Sequence, residues 1–172
     1  VPAERFERQL VPTADGGTLA IDWLQPCRAS DGPPPLVVLG VPGAGQNTTG
    51  RGFTPTVLTA LTCSGLLPAG VRCGVLVYQG HGGLPLTSSA LPGSGYVAGD
   101  DLGEALRAAR ARHPAAPLVV VAGSLGTAIA SNWVARHAEE AARLRVAGLL
   151  LFAFGHSVRQ TVVSSDSYLL GM

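Results

Sequence analysis

A serine between two glycines is the residue of this sequence best suited to nucleophilic chemistry. Ser124 lies in A-G-S-L-G, residues 122–126, after the apolar run Leu118–Ala122 and before small residues suited to a helix. A serine on a sharp turn from strand to helix exposes its hydroxyl for attack, an arrangement called the nucleophile elbow, usually G-x-S-x-G. Gly123 and Gly126 let the backbone turn there without a Cβ clash. The alternative interpretation is an ordinary serine in a strand-to-helix loop.

Backbone N–H groups beside Ser124 would complete such a site by stabilising an oxyanion. Leu125 follows the serine directly, and the residue after the nucleophile supplies one N–H donor in this arrangement. The second donor comes from the loop after an early strand, and the loop Pro42–Gly50 follows the uninterrupted apolar run Leu36–Val41. Within that loop a glycine that permits close approach precedes Ala44. The sequence therefore predicts an oxyanion hole formed by the N–H groups of Ala44 and Leu125.

Other motifs of known chemistry are incomplete in this sequence or stand in the wrong place. The same loop lacks the lysine of a phosphate loop, because Arg51 follows its last glycine, and Thr48 replaces the third glycine of a dinucleotide fingerprint. The H-G-G string at 81–83 resembles an H-G-G-G oxyanion motif but follows the wrong strand, so His81 is interpreted as a loop residue. The H-x-E string at 137–139 has no P-C-x-x-C after it, which excludes a zinc deaminase. We expect no metal and no cofactor.

The composition indicates a chain that buries a sheet. Of the 172 residues, 47% are hydrophobic and only 13% are charged, which fits a buried parallel sheet better than a solvated helical bundle. The formal net charge of +1 provides no argument for a nucleic-acid partner. All 12 basic residues are arginine, so this sequence contains neither a Schiff-base lysine nor a Walker lysine.

The cysteines and the apolar runs indicate in which cellular compartment the protein is expected to lie. The odd number of cysteines, Cys27, Cys63 and Cys73, and their wide spacing argue against a disulfide framework and fit a reducing compartment. Cys27 is interpreted as a free thiol without a role, and Cys63 as a core residue. Residues 1–10 are not a signal peptide, and no apolar run has the length of a transmembrane segment. We expect a cytoplasmic location, or membrane association of the full-length protein.

Short apolar runs alternate with helical patterns, which is typical of an α/β fold with a parallel sheet. The pattern predicts one partial domain over residues 1–172, with a hairpin at 6–24, a core of βα units at 36–154 and a short tail at 155–172. Three predicted elements are a helix over Phe53–Pro68, a helix from Ser124 to about Arg143 and a strand over Val146–Phe154.

Four segments, in order, resemble the α/β-hydrolase superfamily, and specifically its abhydrolase branch, which includes plant embryogenesis-associated proteins. They are D-G-G-T-L-A-I-D-W (Asp15–Trp23), V-P-G-A-G (Val41–Gly45), Y-V-A-G-D-D-L (Tyr96–Leu102) and G-S-L-G (Gly123–Gly126). The resemblance implies an α/β-hydrolase fold, C-terminally truncated, with a mostly parallel sheet and helices on both faces. It also implies Ser124 as nucleophile and an oxyanion hole formed by Ala44 and Leu125.

The chain departs from the family pattern beyond the helix that follows the elbow. The family order is Ser, then Asp or Glu, then His. Here His156 and Asp166 are the only histidine and the only acidic residue after that helix, their order is reversed, and neither matches a family motif. The sequence thus predicts a nucleophile without its triad partners, either in a fragment of a longer hydrolase or in a degenerate copy.

The resemblance also implies a reaction. It indicates a serine hydrolase that acts on carboxylic esters, above all lipid or acylglycerol esters, through an acyl-enzyme. The expected partner is a small ester or lipid and not a nucleic acid, with peripheral membrane contact by the full-length protein. This chain by itself is expected to be inactive. The alternative function is that of a non-catalytic remnant or binding protein with the same fold.

Overall fold

The computed structural model describes residues 6–28, 30–43, 53–86 and 100–152. The strands within these ranges are β1 (Phe6–Pro12), β2 (Thr18–Leu24), β3 (Val37–Val41), β4 (Arg72–Val77), β5 (Leu118–Gly123) and β6 (Val146–Phe152). The helices are α1 (Phe53–Cys63), α2 (Asp100–Arg112), α3 (Leu125–Arg136) and α4 (Ala138–Arg143).

The strands form one sheet in the order β1-β2-β4-β3-β5-β6. β1 and β2 form an antiparallel hairpin, and β2 is also antiparallel to β4. The other neighbours, β4, β3, β5 and β6, run parallel to one another, and helices connect them because parallel neighbours need a crossover. The prediction of a mostly parallel sheet is therefore confirmed. The carboxyl ends of these four strands share one edge of the sheet.

Apolar side chains from both faces of the sheet form the core. Along β3, Val37, Leu39 and Val41 lie in one cluster with residues of α2 and α3. Val38 points the other way and lies in a second cluster with Leu58 of α1. This alternation follows from the two-residue period of a strand, and it requires apolar residues at every position of a central strand. Helices thus cover both faces, as the sequence predicted.

The helix α1 ends earlier than predicted. Its last residue is Cys63 instead of Pro68, and Gly65 has a φ of +78° just beyond the end. A glycine in the left-handed conformation commonly stops a helix at this position. Leu66, which the sequence pattern placed on the apolar helix face, is 79% exposed as a result.

The helix predicted to run from Ser124 to about Arg143 is divided in two. α3 ends at Arg136 and α4 starts at Ala138, because His137 between them has a non-helical backbone with φ −124° and ψ 39°. The His137 ring stacks on the buried Trp133, with ring centroids 5.4 Å apart. Among the helices in the described ranges, none combines the length and the apolar character needed to cross a bilayer.

Two of the cysteines form a disulfide, and the prediction that Cys27 is a free thiol is wrong. Cys27, in the connection after β2, is bonded to Cys63 at the end of α1, with their Cα atoms 5.2 Å apart. Their sequence separation of 36 concealed the pairing, which requires only that the Cα atoms come close in space. Disulfides persist in oxidising environments, so the cysteine count no longer supports a reducing compartment. Cys73 is a free, buried cysteine, and burial raises the pKa of its thiol to about 12.

Candidate active site

Ser124 lies between the end of β5 and the first residue of α3, at the carboxyl edge of the parallel strands. Its backbone has φ 53° and ψ −126°. A positive φ is costly for a residue with a Cβ, and such strain persists only where the surroundings enforce it. Within the described ranges, Ser124 and Arg145 are the two residues other than glycine with a positive φ. This strained turn from strand to helix is the local geometry of the predicted nucleophile elbow.

Hydrogen bonds on both sides hold the Ser124 backbone. Its N–H donates to the Phe152 carbonyl on β6 at 3.1 Å. Its carbonyl accepts from the Thr127 N–H at 3.0 Å and from the Thr127 hydroxyl at 2.6 Å. Thr127 is fully buried, so its hydroxyl has little freedom to move away. The Ser124 side chain itself makes no capping hydrogen bond and the residue is exposed, which leaves the hydroxyl available to an incoming group.

The glycine after Leu125 is required by close packing against the end of β3. A Cβ on Gly126 would overlap the carbonyl oxygen of Val41 and would lie 2.9 Å from that of Pro42. Only glycine therefore lets the first turn of α3 rest against the end of β3. Neither elbow glycine has a positive φ, because the strained conformation is carried by Ser124 itself. Gly123 is the buried last residue of β5.

Gly43, in the chain segment directly after β3, closely approaches Ser124. The parallel register pairs Val41 with Ala122, which brings the two chain segments that follow them side by side. A Cβ on Gly43 would lie 3.0 Å from the Cβ of Ser124 and 3.4 Å from its Oγ. The main chain of the loop thus reaches the nucleophile closely enough for a backbone donor to act there.

The structure describes only one of the two predicted oxyanion donors, Leu125. Leu125 is the first residue of α3, where an N–H has no intrahelical acceptor and is available to a ligand. Its side chain packs against the core, which fixes the residue in place. Ala44 lies outside the described residues, and so do His156 and Asp166. The roles considered for these three residues remain sequence predictions.

The described histidines are engaged away from Ser124. The Nδ1 of His81 lies 3.0 Å from the Gln79 carbonyl oxygen, in the loop after β4 where the sequence placed it. The His113 ring packs edge-on against Trp23, with centroids 5.2 Å apart. His137 stacks on Trp133. Among the described residues, no hydrogen bond joins any of these imidazoles to the Ser124 hydroxyl.

Thr127 is a site residue that sequence reasoning missed. It had been grouped with small residues that allow α3 to pack closely, and its hydroxyl received no role. A threonine three residues after a nucleophile, at the start of a helix, is a weak signal by itself because Ser and Thr are common in first turns. Within the described ranges, no cluster of three or more His, Cys, Asp or Glu side chains could hold a metal ion.

Comparison with known proteins supports this geometry. Protein ABHD15 of Homo sapiens is 34% identical over 139 residues, which is 77% of this chain, and the chain spans 28% of the length of that relative. No protein-family model matches the chain. The plant embryogenesis-associated branch of the superfamily is not confirmed and remains a prediction.

Solved structures resemble the chain in fold. A serine hydrolase without a lid from Xanthomonas campestris matches with a TM-score of 0.52 at 16% identity, over 88% of this chain and 62% of its own. A serine hydrolase homologue from Coxiella burnetii matches with a TM-score of 0.57 at 18% identity, over 84% and 72%. A cold-adapted esterase from an Arctic intertidal metagenomic library matches with a TM-score of 0.59 at 18% identity, over 90% and 66%.

These solved structures show an α/β-hydrolase fold, and the human relative adds a match in sequence. The strained serine at the carboxyl end of β5 stands where that fold carries its nucleophile. The chain therefore has the α/β-hydrolase fold, as the resemblance of its sequence implied.

Proposed function

We propose that this chain carries the nucleophile and part of the oxyanion hole of a serine hydrolase that cleaves carboxylic esters. The observation that supports the proposal best is the strained backbone of Ser124, at φ 53° and ψ −126°, together with its exposed hydroxyl. A fold without chemistry has no need of this strain, and strained residues cluster at active sites. Several fold neighbours are described as serine hydrolases or esterases, which favours this class of reaction.

The reaction proceeds in two steps. The Oγ of Ser124 forms a bond to the ester carbonyl carbon while a base takes the hydroxyl proton, and N–H groups such as that of Leu125 stabilise the oxyanion. The bond from carbon to the alkoxy oxygen then breaks, and the alcohol leaves with the proton. Water attacks the resulting acyl-enzyme, releases the carboxylic acid and restores the serine.

Gly43 supports the position of the second donor. Gly43 closely approaches Ser124, and Ala44, the donor that the sequence predicts, follows Gly43 directly in the chain. An oxyanion donor must lie about 3 Å from the developing charge, and the approach of Gly43 makes this distance accessible to its neighbour. We infer lipid or acylglycerol esters as substrates, and this finer assignment depends on the family resemblance alone.

A fluorophosphonate probe tests the proposal, because it reacts covalently with an activated serine. The whole protein that contains this sequence is expected to label at Ser124, and Ser124→Ala should abolish the labelling. Ser64→Ala is the matched control, since Ser64 is an exposed serine just after α1 and should be dispensable. A folded whole protein that does not label at Ser124 would favour the non-catalytic alternative.

The 172-residue chain is expected to label poorly by itself. Without a base the hydroxyl is a weak nucleophile, and triads without their base retain only about 10³–10⁴-fold catalysis over water. Rapid, stoichiometric labelling of this chain would show that it contains its own base. His156→Ala is then the variant that identifies the base.

A further inference from the structure

A cavity of about 120 Å³ lies at the edge of the sheet opposite Ser124. Arg72, the first residue of β4, lines it, whereas Ser124 follows the last residue of the parallel strand β5. The amino and carboxyl ends of parallel strands lie at opposite edges, so the cavity is separate from the candidate active site. Its other walls are His113, Gly70 and the connection between β2 and β3.

His113, which lines this cavity, has an imidazole nitrogen without a hydrogen-bond partner. Its Nε2 is shielded from solvent and has no hydrogen-bond partner. The ring cannot easily turn away, because it packs edge-on against Trp23 and the His113 N–H donates to the Ala109 carbonyl at 3.0 Å. An unsatisfied buried polar atom costs about 1–3 kcal/mol, so a partner that fills the cavity would recover this energy.

The guanidinium of Arg72 is the second polar group. Among the described residues it forms no ion pair and no side-chain hydrogen bond. The nearby carboxylate of Glu7 is engaged by Arg112, whose Nη2 donates to its two oxygens at 2.8 and 2.9 Å. Arg72 therefore contributes a positive charge and a fork of five N–H donors to the wall of the cavity, close enough to His113 to act on its pKa.

The electrostatics favour an anion over a cation. Burial lowers the pKa of His113, and the positive charges of Arg112 and Arg72 lower it further. Among the described residues that line the cavity, none is acidic. A metal ion would be repelled by the guanidinium, and an apolar molecule would leave Nε2 without a partner.

We propose that this cavity binds a small oxyanion such as phosphate or sulfate. Two oxygens of the anion accept hydrogen bonds from the Arg72 guanidinium, and another accepts from Nε2–H of His113. Charge-assisted hydrogen bonds of this kind are about twice as strong as neutral ones. The cavity has the volume of several water molecules at about 30 Å³ each, which accommodates a tetrahedral anion. The Ser30 hydroxyl in the wall provides an additional donor.

Titration with inorganic phosphate and with sulfate tests the proposal on the 172-residue chain. Calorimetry should show binding, and the imidazole resonances of His113 should shift in the NMR spectrum. Arg72→Gln should weaken binding at least about tenfold, the effect of removing one charge-assisted hydrogen bond. Arg143→Gln is the matched control, since Arg143 is an exposed arginine at the end of α4 and loses the same charge.

The pH dependence distinguishes a role of the imidazole from simple attraction by arginine. Sulfate keeps its charge near neutral pH, so an affinity that rises as the pH falls reports protonation of His113. The positive charges of Arg72 on β4 and Arg112 on α2 act on this ring, Arg110 donates to the His113 backbone carbonyl, and Glu7 on β1 is held by Arg112. His113→Gln should bind sulfate with an affinity independent of pH.

Three results would overturn the proposal. One is a wild-type chain with no heat of binding and no His113 shift at millimolar phosphate, which would mean that water alone fills the cavity. Another is equal binding by Arg72→Gln and Arg143→Gln. The third is binding that shifts no His113 resonance, which would place the anion elsewhere. Thermal unfolding of each variant confirms that it is folded.

Discussion

Substituting Gly126 by alanine tests whether close packing between α3 and the end of β3 builds the site. The added Cβ would overlap the Val41 carbonyl oxygen and would lie 2.9 Å from that of Pro42. Both obstacles are backbone atoms, so a side-chain rotation cannot relieve them. The start of α3 and the loop after β3 must move apart. That movement would separate Ser124 from Gly43, whose main chain now lies against it.

Two energies of opposite sign decide the size of the effect on stability. Inserting a methyl group into a well-packed region costs about 1–3 kcal/mol, and a clash with backbone belongs at the upper end. Alanine in place of glycine within a helix recovers up to about 1 kcal/mol. The expected net loss is about 1–2 kcal/mol in the free energy of unfolding. For a chain of this size each kcal/mol lowers the Tm by about 2–4 °C.

Urea unfolding measures the loss, and fluorophosphonate labelling of the whole protein measures the effect on the site. A displacement of about 1 Å at a catalytic group can cost about 100-fold in rate, so labelling should fall far more than stability. Gly148→Ala is the matched control, because a Cβ on this β6 residue meets nothing within 4 Å. Equal stability and labelling in the two variants would refute the packing argument.

Three further predictions concern stability and solubility. Replacing Cys27 and Cys63 together by serine should lower the free energy of unfolding by about 2–4 kcal/mol in urea, because the disulfide closes a loop with a sequence separation of 36. Reductant should weaken the wild type equally, and an insensitive wild type would contradict the disulfide. Burial, with Asp15, Asp100 and Glu104, raises the pKa of Asp101 to about 6, so the folded chain holds an extra proton between about pH 4 and pH 6 and loses stability as the pH rises. Asp101→Asn should therefore raise the Tm more at about pH 7 than at about pH 4, and equal shifts would contradict the raised pKa. Leu150→Lys should reduce aggregation of the 172-residue chain in light scattering, since Leu150 is 46% exposed on β6 and among the described strands β6 pairs only with β5. Unchanged scattering would show that this edge does not drive association.

The sequence by itself determined the order of elements and the place of the candidate nucleophile, Ser124. Apolar runs such as Leu118–Ala122 have the length of a strand, and buried parallel strands need apolar residues on both faces. The elbow is also a local feature, since the strand, Ser124 and the following helix are contiguous in the chain. Both signals depend on near neighbours, and the fold class that they predicted is confirmed.

The tertiary structure decided whatever depends on residues far apart in sequence. The Cys27–Cys63 bond and the juxtaposition of Arg72 with His113 arise only once the strands have their spatial order. The same holds for Gly126, since only the structure shows that a Cβ there would meet the Val41 carbonyl oxygen at the end of β3. Such contacts follow from strand register and helix placement. The sequence pattern of a single segment does not specify which distant segments will contact it.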